Sequence, residues 1–157
     1  MFFSSKSQIF AILFAIALVV LLFFAPKKPD ISKVEIQNDV ATEIEMAVKM
    51  IREGNQPMEG IIKLRSIGDK YPDNEEAQLY LGVFSIQSTQ YEKAVERFNN
   101  VLKINPNNSY AYQLLGQSYE LLQDTLKALE YYQMFLNKSD DVKAKEEIKK
   151  HLKNLKI

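Results

Sequence analysis

The sequence predicts an all-α protein: a solenoid of about three helical hairpins with a C-terminal capping helix, preceded by a single N-terminal transmembrane helix. Three observations predict this arrangement. Residues 9–25 are uninterruptedly apolar, and residue types recur 34 positions apart from residue 41 onward. Within each repeat, the apolar residues fall three or four positions apart, as they do on one face of a helix.

The apolar run is long enough to cross a membrane as a helix. It contains 17 residues, of which 13 are Leu, Ile, Val or Phe. As a helix it spans about 26 Å, near the lower limit for a bilayer core. At about −0.4 kcal/mol for each of those 13 residues, insertion is favoured by about 5 kcal/mol. We therefore expect residues 1–8 to form a short tail and residues 9–25 a transmembrane anchor.

A cleaved signal peptide is the alternative for this segment. Such a peptide ends in small residues at alternate positions, whereas here Phe23 lies two positions before Ala25 and Pro26 follows directly. This pattern favours an uncleaved anchor. The next segment, residues 26–40, contains two prolines and many charged residues, so it is predicted to form a short tether.

The lysines that flank the anchor do not decide its orientation. Lys6 and the terminal amine lie on one side, and Lys27, Lys28 and Lys33 lie on the other. This difference slightly favours a cytoplasmic domain by the positive-inside rule. An N-terminal anchor followed by a large soluble domain is, however, the usual arrangement for export. We expect an extracytoplasmic domain, with a cytoplasmic domain as the alternative.

From residue 41 onward the chain repeats itself every 34 residues. Gly82 is followed by Gly116 and Ala94 by Ala128 at this separation, which matches the length of a helical hairpin in some repeat proteins. Short side chains let two helices cross closely, so Gly82 and Ala94 are expected to mark the crossing within one hairpin, beside the larger Phe98. The three predicted units are residues 41–74, 75–108 and 109–142.

The second and third units resemble the tetratricopeptide repeat family. The resemblance is carried by Leu81, Gly82, Ala94, Phe98, Val101 and Pro106 in the second unit, and by Tyr112, Leu115, Gly116, Tyr119, Ala128, Tyr132 and Phe135 in the third. The first unit is a degenerate repeat, because it keeps Gly60 and Pro72 but has Val48 where the family has glycine. With the anchor, the resemblance implies a membrane-anchored member of bacterial type, in the inner membrane with a periplasmic domain.

In this family, the first helix of each repeat lines a concave groove that usually holds a peptide or helix of another protein. The resemblance implies that four positions of each first helix face the groove. They are Thr42, Glu45, Lys49 and Arg52 in the first unit, Glu76, Leu79, Val83 and Ile86 in the second, and Tyr110, Gln113, Gln117 and Glu120 in the third.

The central wall of this groove is apolar and its outer walls are polar. Leu79, Val83 and Ile86 have no evident role within their repeat, so we expect them to form an apolar strip that contacts a partner. Tyr110 and Gln113 would supply hydrogen bonds at the rim. The alternative is that the C-terminal helix or another copy of the chain covers the strip.

The C-terminal segment, residues 143–157, has a sequence of its own and is predicted to cap the solenoid. Ala144, Ile148, Leu152 and Leu155 form an apolar stripe at helical spacing. Six lysines and two glutamates give the segment a net charge of +4, whereas residues 39–141 carry −6. The lysines form either a solvated face or a contact for anionic headgroups or an acidic partner.

No catalytic, metal or cofactor site is predicted. The chain has no cysteine and His151 is its only histidine, so a Cys and His metal site and a histidine-based triad lack their residues. None of the five glycines belongs to a phosphate-binding motif. The 20 basic residues balance 20 acidic ones, so the net charge does not indicate nucleic acid as a partner. We expect a protein that is not an enzyme.

These observations predict a membrane-anchored adaptor or scaffold whose groove binds a peptide or helix of a partner protein. The alternative is a structural subunit of a larger membrane assembly, in which the repeats pack permanently. The sequence leaves the partner and the oligomeric state open.

Overall fold

The computed structural model describes residues 31–155, with side chains from residue 38 onward, and this part of the chain is helical without a strand. Its seven α-helices are α1 (Ile31–Glu53), α2 (Pro57–Lys70), α3 (Glu75–Gln87), α4 (Tyr91–Ile104), α5 (Ser109–Leu121), α6 (Thr125–Lys138) and α7 (Val142–Asn154). None of these helices is both long enough and apolar enough to cross a membrane. The predicted tail and anchor, residues 1–25, lie outside the described residues.

The predicted tether is wrong for residues 31–40, because α1 begins at Ile31. Both prolines of the tether precede this helix, and no proline or glycine follows before Gly54. Val40 is buried together with Ile44 and Ala47, at spacings of four and three residues. The buried stripe of the first helix therefore includes Val40, one residue before the predicted unit boundary. Residues from Asn38 onward form one compact unit.

The helices of this unit pack in sequence as α1–α2, α3–α4 and α5–α6 hairpins, followed by α7. Side-chain caps define several helix starts: Asn74 accepts a hydrogen bond from the backbone N–H of Ala77, and Asn108 accepts one from Ala111. Asp124 and Asp141 cap α6 and α7 in the same way. These four caps fix where the chain turns from one helix into the next.

Three clusters of buried side chains join each hairpin to its neighbour. The first unites α1, α2 and α3 through residues that include Ile44, Leu64 and Leu81. The second joins α4 to α5 around Phe98 and Leu115. The third joins α6 to α7 through Tyr132, Phe135 and Ile148. Since Ile148 completes this third cluster, α7 covers the C-terminal end of the core.

Gly82 and Gly116 mark close helix crossings, and each lies under an aromatic ring. A Cβ at Gly82 would overlap the ring of Phe98, and a Cβ at Gly116 would lie 2.6, 2.7 and 2.9 Å from three ring carbons of Tyr132. The sequence predicted that Gly82 would meet Ala94, but its close neighbour is Phe98. Both rings are almost fully buried, so they have no space to move away.

Gly116→Ala should therefore lower the free energy of unfolding by about 1–2 kcal/mol, because overpacking against Tyr132 outweighs the helix-propensity gain of about 1 kcal/mol. Gly68→Ala is the matched control. The added methyl group there overlaps only the terminal Cδ1 atom of Leu81 and lies 3.9 Å from Nε2 of Gln78. A small shift of one methyl group relieves this overlap, so we expect a smaller loss than for Gly116→Ala. Equal effects of the two variants in urea denaturation would contradict this account.

Candidate partner-binding groove

The predicted groove residues lie on α1, α3 and α5, the first helices of the three hairpins. We call the side of these helices that carries Lys49, Glu76 and Gln117 the groove face. Two depressions indent it. The first, of about 600 Å³, lies between α1 and α3 and is lined by Glu45, Val48, Lys49, Arg52, Glu53, Glu76 and Tyr80. The structure therefore brings the predicted residues Lys49, Arg52 and Glu76 together.

The first depression carries charges of both signs. Lys49 and Glu53 are 3.8 Å apart, with side chains that are 70% and 51% exposed, so solvent screens most of their attraction. Arg52 forms no ion pair with any side chain of residues 38–155. This depression consequently presents a guanidinium group to a neighbouring molecule, beside carboxylates that can accept hydrogen bonds.

The second depression, of about 350 Å³, lies where α5, α6 and α7 meet. It is lined by Gln113, Gln117, Glu120, Leu121, Tyr132, Ile148 and His151. Of the predicted residues, Gln113, Gln117 and Glu120 are present here. Tyr110 is 49% exposed on the first turn of α5 and does not line the depression.

Glu120 connects three helices at this depression. Its Oε2 atom accepts a hydrogen bond from the hydroxyl group of Tyr132 at 2.9 Å and lies 2.8 Å from Nε2 of His151. The His151 ring stands edge-on to the Tyr132 ring, with centroids 5.7 Å apart. Burial, followed by the hydrogen bond to Glu120, raises the pKa of Tyr132, so its hydroxyl group remains a donor at neutral pH.

The sequence did not indicate that His151 belongs to this site. It suggested only a histidine on a lysine-rich helix, whereas the structure places this side chain on the groove face, half-buried, against Glu120. The two residues are 31 positions apart, Glu120 in the third hairpin and His151 on α7, which follows it. No periodic pattern of the chain pairs them, because α7 does not follow the 34-residue repeat.

Leu79, Val83 and Ile86 are half-buried and pack against the second core cluster, which includes Phe98 and Leu114. The sequence indicated no role for them within their own repeat, whereas the structure packs them against a cluster that includes residues of the next hairpin. The next hairpin supplies Leu114 and Leu115 on α5, and these side chains cover part of the strip. Contact of the remaining exposed part with a partner stays a prediction.

Among the described residues, no group of three or more His, Asp or Glu side chains is placed to hold a metal ion. The groove face instead offers groups suited to a polypeptide. Gln113 and Gln117 each carry an amide that both donates and accepts hydrogen bonds, which is the pairing that a peptide backbone requires. The half-buried apolar wall lies between the two polar depressions along the series α1, α3 and α5.

Comparison with known proteins agrees with this architecture. A family model described as "TPR repeat" matches residues 86–123, and one described as "Tetratricopeptide repeat" matches residues 110–141. Fifty-two chains of solved structures match. One of them, from the "CopN-Scc3 complex", has a TM-score of 0.66 and 17% identity, with 88% of this chain and 85% of that chain covered. No curated protein matches the sequence.

His151→Ala should loosen α7 without unfolding the hairpins. The variant loses the contact with Glu120, and a hydrogen bond of this kind contributes about 0.5–1.5 kcal/mol. Amide hydrogen exchange in α7 should accelerate about three- to tenfold, while exchange in α3 and α4 should not change. Lys150→Ala, at an exposed position one residue earlier, is the matched control. Equal acceleration in both variants would show that Glu120 does not hold this helix.

Proposed function

Since tetratricopeptide repeat models match residues 86–123 and 110–141, we propose that the chain is a membrane-anchored tetratricopeptide repeat adaptor that holds a segment of a partner protein along its groove face. One observation carries this proposal. Residues predicted from three separate hairpins converge on two depressions, where their side chains face outward with charged and amide groups. The solved chain with a similar fold comes from a protein complex, which supports a protein partner.

The groove face favours an extended or helical segment of mixed character over a uniformly charged one. The first depression combines Lys49 and Arg52 with the carboxylates of Glu45, Glu53 and Glu76. The second combines amides with Glu120 and His151. A partner segment that places an acidic side chain near Arg52 and backbone amides near Gln117 would satisfy both depressions. We assign no catalytic activity, cofactor or nucleic acid to the protein.

The adaptor is best tested by photocrosslinking in intact cells from exposed positions. A photoreactive residue at Gln117 should capture a protein partner, whereas the same residue at Glu130, on the outward face of α6, should not. Gln117 is a better position than the half-buried Val83, where a large substitution would disturb the second core cluster. Equal capture from Gln117 and Glu130, or capture of lipid alone, would contradict the proposal that the protein is an adaptor.

A second experiment, on detergent extracts that have not been crosslinked, separates the adaptor from a structural subunit of a membrane assembly. An adaptor should release its partner when detergent extracts are diluted, because small interfaces between a protein and a short segment are commonly transient. A structural subunit would remain with its neighbours at a fixed ratio through gel filtration. That second outcome would favour the assembly over the adaptor.

Residues 9–25 are the proposed anchor, and their apolar composition supports it. Deleting them should move the protein from the membrane pellet to the soluble fraction, whereas the full-length chain should resist alkaline extraction. Changing Lys149, Lys150 and Lys153 to Gln is the control for attachment through the basic helix, and it should have no effect on the pellet. Release of the full-length chain by alkali would rule out the anchor.

We further propose that the repeats lie on the extracytoplasmic side of a bacterial inner membrane. This placement rests on the usual arrangement of an N-terminal anchor followed by a soluble domain. Protease added to sealed spheroplasts should then digest the repeats. Protection of the repeats until the membrane is broken would place them in the cytoplasm instead.

A further inference from the structure

A cleft of about 250 Å³ opens between the second helices α2 and α4 and the C-terminal half of α3, away from the groove face. Ile61 and Phe84 contribute apolar surface to it, and Arg65, Lys93 and Arg97 contribute positive charge. Its volume is below the range of about 300–1,000 Å³ that is typical of small-molecule sites. It has room for a side chain rather than for a cofactor.

The 34-residue repeat shows why this cleft is open. Ser85 and Arg97 of the cleft correspond, 34 residues later, to Tyr119 and Tyr131. Those two tyrosine rings stack on each other with centroids 5.3 Å apart and an interplanar angle of 12°. They also pack against the second core cluster. One junction between hairpins is thus filled by its own aromatic pair, while the equivalent positions in the preceding junction carry a serine and an arginine.

The charges of the cleft are not neutralised by neighbouring carboxylates. No ion pair within residues 38–155 involves Arg65, Lys93 or Arg97, although Glu96 also lines the cleft. Neutral amides hold two of the cations instead. Arg97 donates from Nη1 to Oε1 of the buried Gln78 at 3.0 Å, and Lys93 donates to Oε1 of Gln90 at 2.7 Å. These contacts position the cations and leave their charge in excess.

We propose that this cleft binds an aromatic side chain of a partner polypeptide that is flanked by acidic residues. The ring takes the place that the tyrosine pair fills in the next junction, with the guanidinium group of Arg97 stacked on its face as Tyr131 is stacked on Tyr119. The flanking carboxylates pair with Arg65 and Lys93 at the rim. None of the residues that line this cleft lines either depression of the groove face, so the site can be tested independently of the proposed groove.

The test is isothermal titration calorimetry of the full-length chain in mild detergent with three unlabelled peptides. Their central sequences are Glu-Tyr-Glu, Glu-Ala-Glu and Lys-Tyr-Lys, in otherwise identical Gly and Ser flanks. The first should bind at least about tenfold more tightly than either of the others, because only it provides both the ring and the charges. Equal binding of the first and second peptides would overturn the proposal.

Two cleft variants with matched controls then locate the site. Ser85→Tyr should weaken binding of the Glu-Tyr-Glu peptide at least about tenfold, because the new ring fills the cleft over Arg97. Ser66→Tyr, at an exposed serine outside the cleft, should not change it. Arg65→Glu, also at an exposed position, should weaken binding about fivefold, whereas Lys63→Glu on the same helix should have little effect.

The thermal midpoint of each variant shows whether it is folded. If Ser85→Tyr does not fold, the affinities of Arg65→Glu and Lys63→Glu for the Glu-Tyr-Glu peptide still test the proposal. Both substituted residues are exposed, so neither change disturbs the core. Unchanged affinity in Arg65→Glu would overturn the proposal. Loss of peptide binding in Gln117→Lys, with full binding retained in Ser85→Tyr, would also overturn it by placing the peptide on the groove face.

Discussion

The fit of an aromatic ring over a glycine, once in each of the last two hairpins, is the constraint on which the rest of the structure depends. Phe98 lies over Gly82 and Tyr132 over Gly116, with no space for even one additional carbon atom. These contacts fix how closely the two helices of a hairpin approach each other. They thereby fix the direction in which the first helices present Glu76, Gln113 and Gln117. The geometry of the groove face is therefore a result of packing elsewhere in each hairpin.

The repeated part of the fold was predictable from the sequence because the helix crossings of the second and third hairpins carry the same residue types. Gly82 and Gly116, like Ala94 and Ala128, are needed at crossings where larger side chains do not fit. The pattern also predicted the first helices as one face, and Lys49, Arg52 and Glu76 do line a common depression. The 34-residue period identifies equivalent positions in successive units, however, and does not identify the side chains that each position contacts.

The features that the sequence did not reveal are those in which one repeat differs from another or in which the chain leaves the repeat. Leu79, Val83 and Ile86 seemed to lack neighbours because the α5 side chains that cover them belong to the following unit. The contact of His151 with Glu120 joins a helix outside the period to one within it. The helical start of α1 was missed because two prolines gave the preceding segment the composition of a linker. In the first two cases the deciding contact is tertiary, whereas the sequence signal is local.

The meeting of Glu120, Tyr132 and His151 has a consequence for the energetics of the whole array. These side chains at once line the second depression and hold the last helix against the third core. Any molecule that occupies the depression only while α7 is docked must stabilise that docked state by mass action, with a free energy that grows as the logarithm of its concentration once the site is mostly occupied. Conversely, anything that detaches the last helix lowers the affinity of this depression. Binding at the second depression and detachment of α7 are thus thermodynamically linked. Whether α7 is docked therefore reports whether this depression is occupied.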